Sequence, residues 1–165
     1  RMSLERALAP LAIAVAVIAL VVWLLLVNDV GLGPWLLALL VFAHGWVHVM
    51  FVFPKPEGQG NYSGVSEYPF DFGRSWLIRR QGLDAGLVRT IGLVAMGATF
   101  VLSLLAALAT VGIIIPTDWW AGLMLAAAAA STITLVLFYS PALVLGFAIN
   151  ALMVVLVLGG SWSPA

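Results

Sequence analysis

Five stretches of this chain are each long and apolar enough to cross a lipid bilayer, whose hydrocarbon core of about 30 Å takes roughly 20 residues of helix. They cover approximately residues 7–27, 34–53, 88–115, 119–139 and 141–158. A backbone inside hydrocarbon must satisfy its own N–H and C=O groups, so each stretch reads as a helix and not as a lone strand. Composition agrees, with 64% of the 165 residues hydrophobic and 8% charged, against roughly 25% charged in a soluble domain. The sequence therefore predicts an all-α fold: one polytopic transmembrane bundle of five spans over residues 1–165. Pro34 and Pro141 fall where helices begin, a position that does not need the missing N–H. Pro116 falls where the third span should stop. The first stretch is longer than the apolar core of a signal peptide, and "VNDVGLG" offers no small-x-small cleavage site, so it reads as a retained span.

Charge sets the expected orientation. Arg6 precedes the first span, while Lys55, Arg74, Arg79, Arg80 and Arg89 lie between the second and third or just inside the third. The turns at 28–33 and 116–118 carry Asp29 and Asp118 but no Lys or Arg. With five spans every basic residue falls on one side, which places the N-terminus in the cytoplasm and the C-terminus outside. Trp35, Trp119, Trp120 and Trp162 then fall at outer boundaries and Trp76 near the inner one, as an aromatic belt anchored at the headgroups.

Helices in lipid associate through close approach of small residues and through hydrogen bonds. Small residues recur every fourth position in three spans: Ala95, Thr99, Ser103 and Ala107; Gly122, Ala126, Ala130 and Thr134; Ala142 and Gly146, followed by Asn150. These are the expected packing faces, with Asn150 hydrogen-bonding inward. The long cytoplasmic loop, residues 54–87, starts as Pro/Gly-rich irregular chain and becomes amphipathic from about residue 67. There Phe70, Phe72, Trp76 and Leu77 are expected to dip into the membrane surface while Arg74, Arg79 and Arg80 face lipid phosphates, the other reading being a partner- or substrate-binding lid. Arg80 and Asp84 are spaced for an i,i+4 pair if that part is helical.

The chemistry-bearing feature is "FAHGWVHVMF", residues 42–51, which holds His44 and His48, the two histidines of the chain. Four residues apart on a helix, they share a face, and ionisable groups at such depth face a bundle interior and often mark a function. A transition metal is one candidate, with Glu67 and Asp71 as further ligands if the loop folds back, although Gly45 replaces the glutamate of HExxH. Haem fits less well, because two histidines on one helix face cannot ligate both sides of it. A proton, quinone or small-ligand pocket is a third, with Trp46, Tyr68 and Asn150 contributing. The plain alternative is that both rings fix the packing of the bundle.

Several classes are excluded. The chain has no cysteine, hence no disulfide, thiolate metal site or iron–sulfur cluster. Seven basic and seven acidic residues give no field for nucleic acid. No lysine lies within a span, and phosphate-binding and nucleotide-binding glycine motifs are missing, as is a nucleophile elbow.

"HGWVHVMF" resembles the HGxxHxxxF signature of a group of small bacterial integral membrane proteins, with Phe51 here following His48 by three positions instead of four. Members of that group also end in two close spans with Gly-x-x-x-Asn in the last, to which Gly146 and Asn150 are similar. The chain departs from the group in its long loop and in "YSPAL", where a tryptophan and an acidic residue are expected. The resemblance implies a bacterial inner-membrane location and carries no activity with it. The sequence thus points to a binding or accessory subunit of a membrane assembly, with lipid and a protein partner or a second copy around it. A metal, haem or quinone-like site at His44 and His48 is the other reading. No complete catalytic constellation is legible.

Overall fold

The computed structural model describes residues 32–52, 72–140 and 143–160, with Ala16, Ala19, Ser163 and Pro164 besides. All regular structure among the described residues is helical. Helix α1 runs over Leu32–Met50, and a 3-10 turn, Phe72–Arg74, leads into the one-turn α2, Trp76–Arg79. The longest helix, α3, covers Ala85–Val111; a second 3-10 turn, Thr117–Trp119, opens α4, Trp120–Leu137, and α5 covers Val144–Leu158. Helix α3 packs on both α1 and α4, and α5 packs on α4. The C-terminus of α1, the N-terminus of α3, the C-terminus of α4 and the N-terminus of α5 meet at the end that carries α2, the loop end. The other, turn end is closed by residues 112–119.

Three of these helices have the length and hydropathy to cross a membrane: Gly33–Met50, Ala85–Val111 and, with its opening turn, Thr117–Leu137. That supports a membrane protein. The expected first span lies outside the described residues, apart from Ala16 and Ala19, which are helical and exposed. The expected fifth span is α5, a shorter apolar helix of 15 residues.

Local signals explain the boundaries and correct some expectations. The third span does not run to Ile115: α3 ends at Val111 because Gly112 takes a left-handed φ of 67°. Its N–H bonds to Ala109 O, and Ile113 N–H bonds to Leu108 O, so two of the last carbonyls are satisfied there. The apolar run continues through Ile113–Ile115, which hid this stop. At its start α3 is capped by Asp84, whose Oδ1 accepts from Leu87 N–H at 2.9 Å. That role replaces the expected pairing of Arg80 with Asp84, since Arg80 ends α2 and residues 82–84 are not helical.

Of the expected amphipathic segment, residues 67–71, Phe70 among them, lie outside the described residues, and the described part is not one continuous helix. Residues 72–79 make two short turns whose apolar side chains point inward, with Leu77 buried and Phe72 and Trp76 half-buried. Trp120, expected in the membrane belt, is 6% exposed and sits in the core, whereas Trp35 and Trp119 are exposed at the turn end.

The close approaches fall where small residues permit them. A Cβ on Gly45 of α1 would lie 2.5 Å from Ser103 Cβ of α3, and one on Gly146 of α5 would lie 2.7 Å from Leu135 Cδ1 of α4. Thr99 and Thr134, whose hydroxyls donate to their own helices, meet across α3 and α4 with Oγ1 atoms 3.3 Å apart. The expected stripe on α4 is only partly on the packed face. Thr134 is buried, Ala130 and Ala126 are half-buried, and Gly122 is exposed with open space around it. At 3.6 residues per turn, each step of four rotates the position by about 40°, so three steps carry Gly122 about 120° from Thr134. Ala95 on α3 is likewise half-buried beside the buried Thr99 and Ser103.

Candidate functional site

His44 and His48 sit in the loop-end half of α1, 5% and 2% exposed, on the face turned toward α4 and α5. Gly45, on an adjacent face, brings α1 against α3, so the histidine face is held at a fixed rotation. The rings stand edge to face with centroids 5.0 Å apart. Ser131 of α4 and Asn150 of α5, also buried, complete the cluster.

Its hydrogen bonds allow one proton assignment with neutral rings that satisfies every contact. The carbonyl of His44 can only accept, so His48 Nδ1–H donates to it at 3.0 Å. His48 Nε2 is then a bare lone pair, and the Ser131 hydroxyl donates to it at 3.2 Å. Asn150 Oδ1 can only accept, so His44 Nε2–H donates to it at 2.9 Å and shares the proton with Ser131 Oγ, also at 2.9 Å. Asn150 Nδ2 donates to Ser131 Oγ and to Thr132 Oγ1, both at 3.0 Å. Ser131 thereby uses its single donor and both lone pairs. Three helices are joined through one hydroxyl.

This geometry bears on each candidate. The structure brings together His44, His48 and Asn150, which the sequence singled out, and adds Ser131 and Thr132, which it did not. Ser131 stands in the run "AAAAASTITL" as one small residue among many; its only signal was a block of hydroxyls inside an apolar span. Glu67 and Asp71, and with them Tyr68, lie outside the described residues. Among the described residues no group of three His, Cys, Asp or Glu gathers to hold a metal. A metal at the histidines would take the lone pair of His48 Nε2, whose orientation is fixed by the Nδ1 bond as in metal-ligating histidines. His44 would have to give up its Nε2 proton to join. Trp46 points outward, 47% exposed, against Phe42 and Phe100 with centroids 6.2 and 5.9 Å away. Arg79 and Arg80 are exposed at the loop end, as is Arg89 in the first turns of α3, and Arg74 lies in the 3-10 turn beside them.

The fold and cluster define a small helical membrane protein with a polar centre built from its own side chains. No family model, no curated protein and no solved structure matches the chain.

Proposed function

We propose that the protein is a small inner-membrane bundle of a bacterium, N-terminus in the cytoplasm, that serves as a binding or accessory subunit of a larger membrane assembly. The observation that carries this reading is the closure of the polar centre on itself. Every bond of Ser131, Asn150 and His48 described above ends on another residue of the bundle, so the cluster works as framework and leaves the outer faces to do the binding. Buried polar groups that are fully matched rigidify and specify one packing. In this orientation Arg79, Arg80 and Arg89 stand at the cytoplasmic leaflet, where acidic lipids attract them. Purification from native membranes in mild detergent tests the reading. A stoichiometric protein partner, or a defined homo-oligomer, supports it; a persistent monomer that turns over a substrate sinks it.

A second reading has its own observation, the unprotonated Nε2 of His48, which accepts from Ser131 at 3.2 Å beside a second imidazole whose centroid lies 5.0 Å away. It makes the pair a site for a transition metal, a haem or a quinone-like headgroup. Elemental analysis and an absorption spectrum of protein purified without added metal separate the two. Metal or a Soret band lost in His44→Ala and His48→Ala favours the site, and a colourless, metal-free protein favours the framework.

A further inference from the structure

The last turns of α4 end in a way that sequence alone does not suggest. The carbonyls of Val136 and Leu137 are among those a helix C-terminus leaves without an intrahelical partner. Both are taken by the segment Phe72–Arg79: Trp76 Nε1–H donates to Val136 O at 2.9 Å, and the Ser75 hydroxyl donates to Leu137 O at 2.8 Å. Ser75 also caps α2, accepting from Leu77 N–H at 3.3 Å. Beside these bonds Phe72 stands edge-on to Phe138, centroids 5.6 Å apart, and lies over Gly92 of α3, where any Cβ would collide with its ring. The segment is a strap laid across the loop end of the bundle.

The strap is linked to the histidines through Phe51. Phe51, just past α1, packs its ring on His48 with centroids 6.3 Å apart. Phe51 belongs to the same apolar cluster as Leu77, Phe72 and Trp76 of the strap and Phe138 of α4. Among the described residues, Phe51 and then the strap thus stand on the loop-end side of the polar centre. The strap itself is slight. Its helix is one turn long, it ends at Gly82 with a φ of 67°, and it is followed by exposed residues 82–87 before α3 is under way. Elements with so few buried contacts open at a lower free energy than the helices they cover.

We propose that the strap Phe72–Arg79 is a hinged closure over the histidine centre, and that its release from the C-terminus of α4 admits water and small polar solutes to His48 from the loop end. The inference does not depend on whether the centre is framework or ligand site, because it concerns the route to His48 and not what is done there.

Diethyl pyrocarbonate, which acylates an unprotonated imidazole nitrogen that solvent can reach, is the probe. The chain has two histidines, so fragmentation mass spectrometry assigns every adduct. In the full-length protein in liposomes, Trp76→Phe and Ser75→Ala each remove one bond of the strap. Each should speed labelling of His48 about fivefold, the factor one ordinary hydrogen bond is worth in an opening equilibrium. Ser75→Thr, which keeps a hydroxyl, should restore the slow rate, and the helical content should not change. Unchanged labelling of His48 while the amides of Arg80 and Gly82 exchange faster overturns the proposal, as does labelling that reaches His44 first. The unmutated protein gives a second reading should the variants fail to fold. There the strap amides and His48 must become accessible with one temperature dependence, and two distinct ones overturn the closure.

Discussion

The two ends of the bundle are held by different physics. At the turn end α1, α3, α4 and α5 meet through Ala38, Ala106, Ala109, Ala127 and Ala128 around Leu37, Met124 and Met153. Small side chains let the backbones come close, and contact between helices in lipid does the rest. At the loop end the cluster is Leu77, Val88, Met96, Leu135, Phe138 and Leu143 with Phe51, Phe72 and Trp76 against it. Aromatic side chains make up much of the contact there, and a short appended segment packs on them and satisfies the helix end. The first arrangement is a property of four helices together, whereas the second rests on a few residues that can leave. The histidine centre lies at the seam, bonded to the rigid half through Asn150 and covered by the removable half through Phe51.

Substitutions can break or sharpen this contrast, and the largest effect belongs at the tightest approach. Gly45→Val forces a side chain into Ser103 and should cost about 3 kcal/mol or more, read as loss of the folded fraction in a denaturing-detergent titration. Ser131→Ala comes next. It removes one hydroxyl that three side chains use, so a loss of about 2 kcal/mol is expected, with Asn150→Leu close behind. If Ser131→Ala is silent, the seam is not what joins the two halves. Trp76→Phe should cost about 1 kcal/mol, and hydrogen exchange should place the change in the strap and not at Ala106–Ala109. Faster exchange at both ends would show that the halves are one cooperative unit. The smallest effect belongs to Gly122→Ala, where the added methyl meets open space. It should leave stability unchanged or raise it by up to about 1 kcal/mol through helix propensity, measured in the same titration.

The long helices among the described residues were legible because hydropathy and length decide them, and α1 and α4 begin and end within a few residues of where the pattern puts them. The inward face of α1 was legible for a related reason: only one rotation of that helix hides both His44 and His48. What they would bond to was half legible. Asn150 stood out as a lone amide in an apolar span, but Ser131 did not, since its role depends on the rotation of α4 against two other helices. The strap was only half legible, as a surface segment or a lid, because its alternation of aromatics with arginine suits a membrane surface as well as a helix end. Whether Trp76 lies on lipid or on Val136 O is settled by the free carbonyls of α4, which no local pattern announces. Asp84 was read as half of an ion pair for the same reason: its partner, the N–H of Leu87, exists only once α3 has begun.

One consequence follows from the 15 residues of α5. At 1.5 Å per residue it is about 22 Å long, several ångströms short of a typical hydrocarbon core of about 30 Å. The flank of the protein that α5 forms offers less oily height than the flanks of α3 and α4. In the proposed five-span arrangement, lipids beside it must compress or the bundle must lean, at a cost that grows with each ångström of mismatch. Acyl-chain length therefore becomes a handle on this molecule. In short-chain bilayers all sides are matched together, and in long-chain ones the α5 flank is the side along which the bundle gains most by finding a neighbour.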